Sequence, residues 1–305
     1  MNNRKTLTSK IMGVGIFKKI KVFSEWLKLH TTYSRLDYYN HLALSSTERG
    51  IADESREKDV IVTLTTYGHR IHNVHLVIES LLRQTVKPNR VILWLSEAEF
   101  SEGNLPEILK RQRERGLQIE FCEDMRSYKK LIPTLALYPN EILITGDDDI
   151  VFPHDHVERL YRAHLKEPQF VHCNRAHMIR LDDVGGVKPY RTWDYESSHR
   201  ESSMLVFPTT GTGAIYTTGH FDAEVGNSKT FSEICPHADD IWLKLMTTRR
   251  GTQSKIVPDI KPLSHYLKIP DFQGRGLIHI NRVENDEQLN RVLARYPDII
   301  GKLRR

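Results

Sequence analysis

From Val60 onward, apolar runs of strand length alternate with longer stretches whose apolar residues recur at helical spacing. That alternation predicts βαβ units around a mainly parallel sheet, an α/β fold class. The first predicted strand is Val60 to Thr65. A polar turn through Tyr67, Gly68, His69 and Arg70 then leads into a helix with the apolar face Val74, Val77, Ile78, Leu81 and Leu82, closed by Pro88. A second strand over Arg90 to Leu95, a helical stretch from Pro106 to Arg115 ended by Gly116, and a third strand over Leu117 to Phe121 follow. The fourth strand ends in Ile144-Thr145-Gly146. Beyond His154 the pattern gives a helix, a strand near Gln169 to Cys173, a long polar loop from Leu181 to Ser203, and an amphipathic helix suggested by Ile241, Leu243 and Leu245.

Residues 1–58 read differently. Ile16, Ile20, Phe23 and Leu27 repeat at helical spacing while Lys18, Lys19, Lys21 and Lys28 add positive charge, and a charged run over residues 53–59 has the composition of a linker. A basic amphipathic helix suits either an anionic membrane surface or packing against the domain or a second subunit. The expected organisation is therefore an N-terminal helical extension over 1–58 and one catalytic-size domain over 59–305.

Composition narrows the picture only modestly. The 305 residues are 39% hydrophobic and carry a net charge of +5, with basic residues interspersed among nearly as many acids, so no nucleic-acid partner is expected. Cys122, Cys173 and Cys235 make no metal or disulfide spacing. No apolar run is long enough to span a bilayer, and the N-terminal stretch lacks the apolar core and cleavage site of a secretory signal. A cytoplasmic location follows, or a peripheral one on the inner face of the membrane.

The chemistry concentrates in Asp147-Asp148-Asp149 at the end of the fourth strand. Adjacent carboxylates repel one another and lose hydration, so their ionised forms need a cation, strong hydrogen bonds or open water. Mg2+ or Mn2+ would supply that cation and hold a substrate's phosphates; a solvated turn or helix cap is the bland alternative. In open α/β sheets ligands sit beyond the carboxyl ends of the strands, which puts Thr65 to Arg70 and Asp147 to Asp149 on one rim.

These segments carry a resemblance. Thr65-Thr66-Tyr67, the helix segment Ile78-Glu79-Ser80-Leu81-Leu82-Arg83-Gln84-Thr85, Asp147-Asp148-Asp149-Ile150 with Pro153, Gly211-Thr212-Gly213, Ala238-Asp239-Asp240-Ile241-Trp242 and Asn285-Asp286-Glu287-Gln288 occur in that order. From about Asp59 to Pro297 the chain resembles glycosyltransferases of the family 2 type, with the Rossmann-like nucleotide-diphospho-sugar transferase (GT-A) fold. Its segments are similar to those of bacterial enzymes of surface-polysaccharide synthesis (lipopolysaccharide, capsule or exopolysaccharide).

The resemblance implies a metal-dependent, inverting transfer of a sugar from a UDP- or GDP-linked donor to a hydroxyl of a glycan or lipid-linked acceptor. It makes Asp149 the principal ligand of Mn2+ or Mg2+ and Asp147 its partner on the metal or ribose, with Asp148 able to share either role because Gly146 stands where many members have aspartate. Thr65 and Tyr67 are implied contacts of the nucleotide. Arg70 and Lys130, with Lys129 beside it, are candidate phosphate contacts on charge, and Gly211 and Gly213 would form a small-residue wall against the sugar. Asp240 is implied to be the general base, with Asp239 beside it where the more usual residue is glutamate. His237 and His265 are further candidates for acceptor, metal or phosphate contact, and the segment from Gly274 to Gln288 for a closing loop. Two alternatives stand against this: a sugar-phosphate nucleotidyltransferase, which needs a glycine-rich basic loop after the first strand, and a non-catalytic membrane-associated scaffold that has kept the fold.

Overall fold

The computed structural model describes residues 3–54, 56–259, 266–270 and 278–304, with side chains from Ile20 onward and, in the last long helix, from Glu284 onward. His265 and the segment Gly274-Arg275-Gly276 lie outside the described residues.

The alternation in the sequence becomes a seven-stranded sheet flanked by helices. Its parallel half is β1 (Val60–Thr65) with β2 (Arg90–Ser96), β3 (Leu117–Cys122) and β4 (Ile142–Thr145), in the spatial order β4-β1-β2-β3. After β4, a two-residue strand β5 (Ile150–Val151) leaves the sheet. β6 (Val171–Cys173) rejoins it, and the hairpin β7 (Ala176–Met178) with β8 (Val206–Pro208) stands apart. Strand β9 (Ala214–Tyr216), inserted between β4 and β6, runs antiparallel to both, while β10 (Ser254–Ile256) closes the edge parallel to β6. The last strand, β11 (Leu267–Lys268), pairs antiparallel with β5.

Why the strands read as near-continuous apolar runs is clear from burial: both faces of the sheet are covered. In β1, Ile61 packs with Ile92, Trp94 and Leu143 on one face, whereas Val60, Val62 and Leu64 pack with Val91 and Leu93 on the other. The second face is covered by α1 (Asn3–Ser45), α2 (Val74–Leu81), α3 (Glu107–Glu114) and α5 (His156–Lys166). The first is covered by α4 (Ile132–Leu137), α6 (Ser228–Ile234), α7 (Asp239–Arg250), α8 (Ile278–Arg295) and α9 (Asp298–Leu303).

Three expectations change. The first helix ends at Leu81, well before Pro88. The helix suggested by Ile241, Leu243 and Leu245 is not amphipathic: Ile241 to Thr248 are all buried, because α7 runs inside the layer made with α8 and α9. It stops at Gly251, whose φ of 96° lets its N–H reach the carbonyls of Thr247 and Thr248. The polar stretch from Leu181 to Ser203 is pinned to the domain by the buried Trp193 and by an Asp194–Met178 bridge.

The N-terminal helix is one 43-residue element with two environments. Leu36, Tyr39 and Ala43 are buried, the first two in the core around α2, so this half belongs to the packed domain. Nearer the N-terminus, Ile20, Val22, Phe23, Trp26, Leu27 and Leu29 are all exposed, Phe23 to 61%. Among the described residues no helix is long and apolar enough to cross a membrane.

Candidate active site

A cavity of about 400 Å3 opens at the carboxyl ends of β1 and β4. It contains the rim that the topology predicts and the residues at the start of α7.

The acidic run is divided by its partners. Asp148 is buried, its Oδ1 2.6 Å from Nη1 of Arg70 and its Oδ2 accepting from the Thr66 hydroxyl at 2.6 Å. Each oxygen therefore has a donor within the protein, so Asp148 is engaged in holding Thr66 and Arg70. Asp147 is half-exposed to the cavity, with Oδ1 bound by the ammonium of Lys130 at 2.8 Å. Asp149 lines the cavity too, and among the described residues no hydrogen bond or ion pair reaches its carboxylate. Burial, then the charges of Asp147 and Asp148, push its acid up to about pKa 6. Its backbone is fixed by Ile269, whose N–H donates to the Asp149 carbonyl at 2.9 Å.

The glycine before the run has a local cause. A Cβ at Gly146 would stand 2.8 Å from the Phe152 ring, which fills the space where an aspartate side chain would begin.

At the end of β1 the roles shift by one residue from expectation. The Thr65 hydroxyl donates to the Trp94 carbonyl at 2.9 Å and so serves the sheet, while its neighbour Thr66 holds Asp148. Tyr67 is 45% exposed on the cavity rim, its ring under the Arg70 guanidinium at 4.9 Å. Arg70 lines the cavity, but its charge is matched by Asp148. The backbone N–H of Gly68 donates to the Glu99 carboxylate at 2.9 Å. A carboxylate in that position is the opposite of what a triphosphate-binding turn offers, which counts against the nucleotidyltransferase alternative.

Lys130 departs furthest from expectation. Its side chain is buried, and Nζ lies 2.8 Å from Asp147 and 2.9 Å from Asp239, so the ammonium joins the two acidic sites. Lys129 is likewise buried and paired with Asp124. Neither is the solvated lysine of a helix surface.

The second acidic site starts α7, whose N-cap is Ala238, so neither aspartate caps the helix with its side chain. Asp239 accepts from the Ser127 hydroxyl at 2.9 Å and pairs with Lys130. Asp240 Oδ1 accepts from the Thr210 N–H at 3.0 Å and from the Thr210 hydroxyl, while no donor among the described residues reaches Oδ2. Burial, then the charge of Asp239, push the Asp240 acid up to about 6, against the opposing pull of Lys130 and Thr210. A carboxylate with one oxygen anchored, the other open to a cavity, and proton affinity close to neutral has the properties of a general base.

The glycines of Gly211-Thr212-Gly213 divide as well. The Asp147 N–H donates to the Gly211 carbonyl at 3.0 Å, and a Cβ on Gly211 would stand 2.0 Å from Asp147 Oδ2, so the space it leaves is taken by that carboxylate. Gly213 faces His156 and Asn174, away from the cavity lining. His237 lies on the rim against the Arg126 guanidinium. Thr66 stood inside the quoted segment Thr65-Thr66-Tyr67 without a role of its own, and sequence reasoning missed Glu99, Ser127, Thr210 and Tyr190 as site residues.

The carboxylates suit a hard divalent ion. Among the described residues no group of three or more His, Cys, Asp or Glu surrounds one point. Asp147 and Asp149 alone would leave the remaining positions to phosphate oxygens and water, the coordination Mg2+ favours beside a nucleotide. The carboxylate of Asp149, which among the described residues no hydrogen bond or ion pair reaches, is the observation that fits such an ion.

No protein-family model matches the chain, and no curated protein matches it. Among solved structures it is similar to the crystal structure of S. aureus TarS 1-349 and to that of the same protein in complex with UDP. Each shows 14% sequence identity and a TM-score of 0.43, over 68% of this chain and 59% of that chain. The chain thus spans less than two thirds of the length of those structures.

Proposed function

We propose that this chain is a metal-dependent, inverting glycosyltransferase that moves a sugar from a UDP- or GDP-linked donor to a hydroxyl of a glycan or lipid-linked acceptor in surface-polysaccharide synthesis. One observation carries the reading: a single cavity holds two neighbouring carboxylates, Asp147, paired on one oxygen with Lys130, and Asp149, which no ion pair reaches among the described residues, and a separate carboxylate, Asp240, with one oxygen anchored and one open.

Asp240 takes the proton of the acceptor hydroxyl as that oxygen attacks the anomeric carbon. The bond from carbon to the diphosphate oxygen breaks on the opposite face, and its electron pair leaves with the diphosphate. Asp147 and Asp149 would hold Mg2+ or Mn2+, which when bound stabilises charge on a leaving diphosphate. Tyr67 and the Thr65 backbone border the nucleotide. Lys130 fixes the spacing of the two acidic sites by holding Asp147 and Asp239, which makes both Lys130 and Asp239 positioning residues.

The same reading includes a peripheral membrane location on the cytoplasmic face. Residues 1–29 contain seven of the 44 Lys and Arg and one of the 39 acids, leaving 37 basic and 38 acidic residues for the rest. The positive charge is therefore concentrated in the extension, rather than scattered, beside six exposed large apolar residues. Charge and apolar surface together match an anionic lipid surface.

The test is a screen of UDP- and GDP-sugars with Mn2+ for release of the nucleoside diphosphate, paired with calorimetry of UDP and GDP with and without metal. Slow hydrolysis of one donor and metal-dependent binding are expected. Binding indifferent to metal would remove the roles of Asp147 and Asp149, and inertness toward every donor would favour the scaffold alternative.

A further inference from the structure

On the acceptor side of the cavity, several residues are left unused by the reaction above. Tyr190 lines the cavity from a short turn after Pro189 and sits near enough to Asp240 for that charge, after burial, to raise its phenol. The ring packs against Trp193 at 4.8 Å, Tyr195 at 5.7 Å and Phe207 at 6.0 Å between centroids, and Phe207 lines the cavity with it. Its backbone N–H donates to the Asp286 carboxylate at 2.6 Å, which ties this turn to α8. The preceding residue on α8, Asn285, also lines the cavity; it is 4% exposed, and among the described residues its Oδ1 has no hydrogen-bond partner.

An aromatic ring offers its face to the C–H side of a pyranose, and a side-chain amide bonds adjacent hydroxyls. Next to Tyr190 the groups are aromatic, amide and carboxylate, while Arg126 and His237 line the same cavity and are tied to α8 through Gln288.

We infer that Tyr190 and Asn285 form the acceptor subsite, that it takes a neutral sugar ring stacked on Tyr190 with hydroxyls on the Asn285 amide, and that this presents one hydroxyl to Asp240. The inference rests on the transferase reading and narrows its acceptor from any hydroxyl compound to one ending in a pyranose. Tyr190 and Asn285 act as binding residues; the proton goes to Asp240 as before.

Saturation-transfer NMR on the full chain, with methyl glycosides of glucose, galactose, mannose and N-acetylglucosamine as probes, tests it directly. At least one glycoside should show saturation concentrated on its ring protons. Tyr190→Ala should weaken that binding by about tenfold and Tyr190→Phe should retain it. Asn285→Ala should weaken it independently, with melting curves confirming that each variant is folded. Absence of saturation for every glycoside, saturation unchanged in both alanine variants, or loss in Tyr190→Phe equal to that in Tyr190→Ala would each overturn the subsite. Donor hydrolysis by the unmodified chain is scored separately: its absence sinks the transferase reading, while glycoside contact at Tyr190 would stand as carbohydrate binding.

Discussion

Nη1 of Arg70 lies 2.6 Å from Oδ1 of Asp148, and both side chains are buried at the edge of the cavity. This pair decides how three consecutive aspartates share their work, because the middle one is committed to the protein. Removing one partner of a buried ion pair leaves an uncompensated charge and costs about 3–5 kcal/mol. Asp148→Asn is therefore expected to lower the urea midpoint sharply. Asp149→Asn, which breaks no contact, should leave the midpoint unchanged or raise it while abolishing metal-dependent UDP binding. Equal stability losses in the two variants would contradict the division.

The close approach of Gly211 to Asp147 gives a second prediction. With a Cβ 2.0 Å from Oδ2 and 2.6 Å from Cγ, Gly211→Ala must rotate the Asp147 carboxylate off its place beside Lys130. A flexible side chain yields more easily than backbone, so the melting temperature should fall by only a few degrees, on the order of 1 kcal/mol. Sugar release should drop at least about tenfold, since a ligand displaced by an ångström no longer serves. Full activity in the variant would mean that Asp147 has no part in donor binding.

Much of this was legible in the chain, and what was not has a common cause. Strands β1, β2 and β3 showed because both faces of the sheet are buried and β-branched residues fill them. The acidic run stood out because three carboxylates follow a buried strand, whereas Tyr67 and Asp240 were candidates only through the resemblance. The partner sets did not show: Thr66 meets Asp148 across 82 positions, and Ser127 meets Asp239 across 112. Lys130 looked like half of a surface pair because nothing near it in sequence reveals that Asp147 and Asp239 converge on its ammonium. Tyr190 was hidden inside a polar stretch whose anchor, Asp286, lies 96 residues on.

Asp240 ties activity to pH. Its acid is raised to about 6, against about 3.9 in an unfolded chain, with Asp239, Lys130, Asp147, Tyr128, Tyr190 and Tyr216 among the charged or titratable groups near it. A base must be ionised to act, so kcat/KM for transfer should rise tenfold per pH unit below about 6 and level off above it. Asp240→Asn should cost about 10^2–10^4-fold in rate and lose that limb. The stability sign is opposite. The folded state holds the proton more tightly, so stability from this group is full below about pH 4 and is lost as pH rises through about 6. The melting temperature of Asp240→Asn relative to the parent chain should therefore increase between pH 4 and 7. A constant difference would remove the shift.

Lys244 supplies a prediction independent of the reaction. It is buried in α7 and among the described residues its ammonium has only the Ser254 hydroxyl, at 3.4 Å; burial lowers that ammonium to about pKa 7, against about 10.4 when unfolded. Between those values the unfolded chain binds the extra proton, so stability should rise with pH from about 7 toward 10. Urea denaturation at pH 7, 8 and 9 should show this rise in the parent chain. In Lys244→Met the midpoint should be higher at pH 7 and its rise smaller. Parallel pH dependence in the two proteins would show that the ammonium is compensated.

The N-terminal helix makes the last prediction, because its two halves answer to different solvents. Leu36 and Tyr39 are held by the domain core, whereas Phe23, Trp26 and Leu27 are exposed beside Lys21 and Lys28. Near an anionic surface each lysine contributes about 1 kcal/mol, and the apolar side chains add burial in the headgroup region. The full chain should float with vesicles containing phosphatidylglycerol and remain below with phosphatidylcholine alone, and the association should weaken as salt rises. Reversal of Lys18, Lys19, Lys21 and Lys28 to Glu should abolish flotation. Phe23→Ser with Trp26→Ser should weaken it while leaving the charge intact. If the chain ignores vesicles and light scattering reports a dimer that the serine variant breaks, the exposed half covers a second copy instead of a membrane.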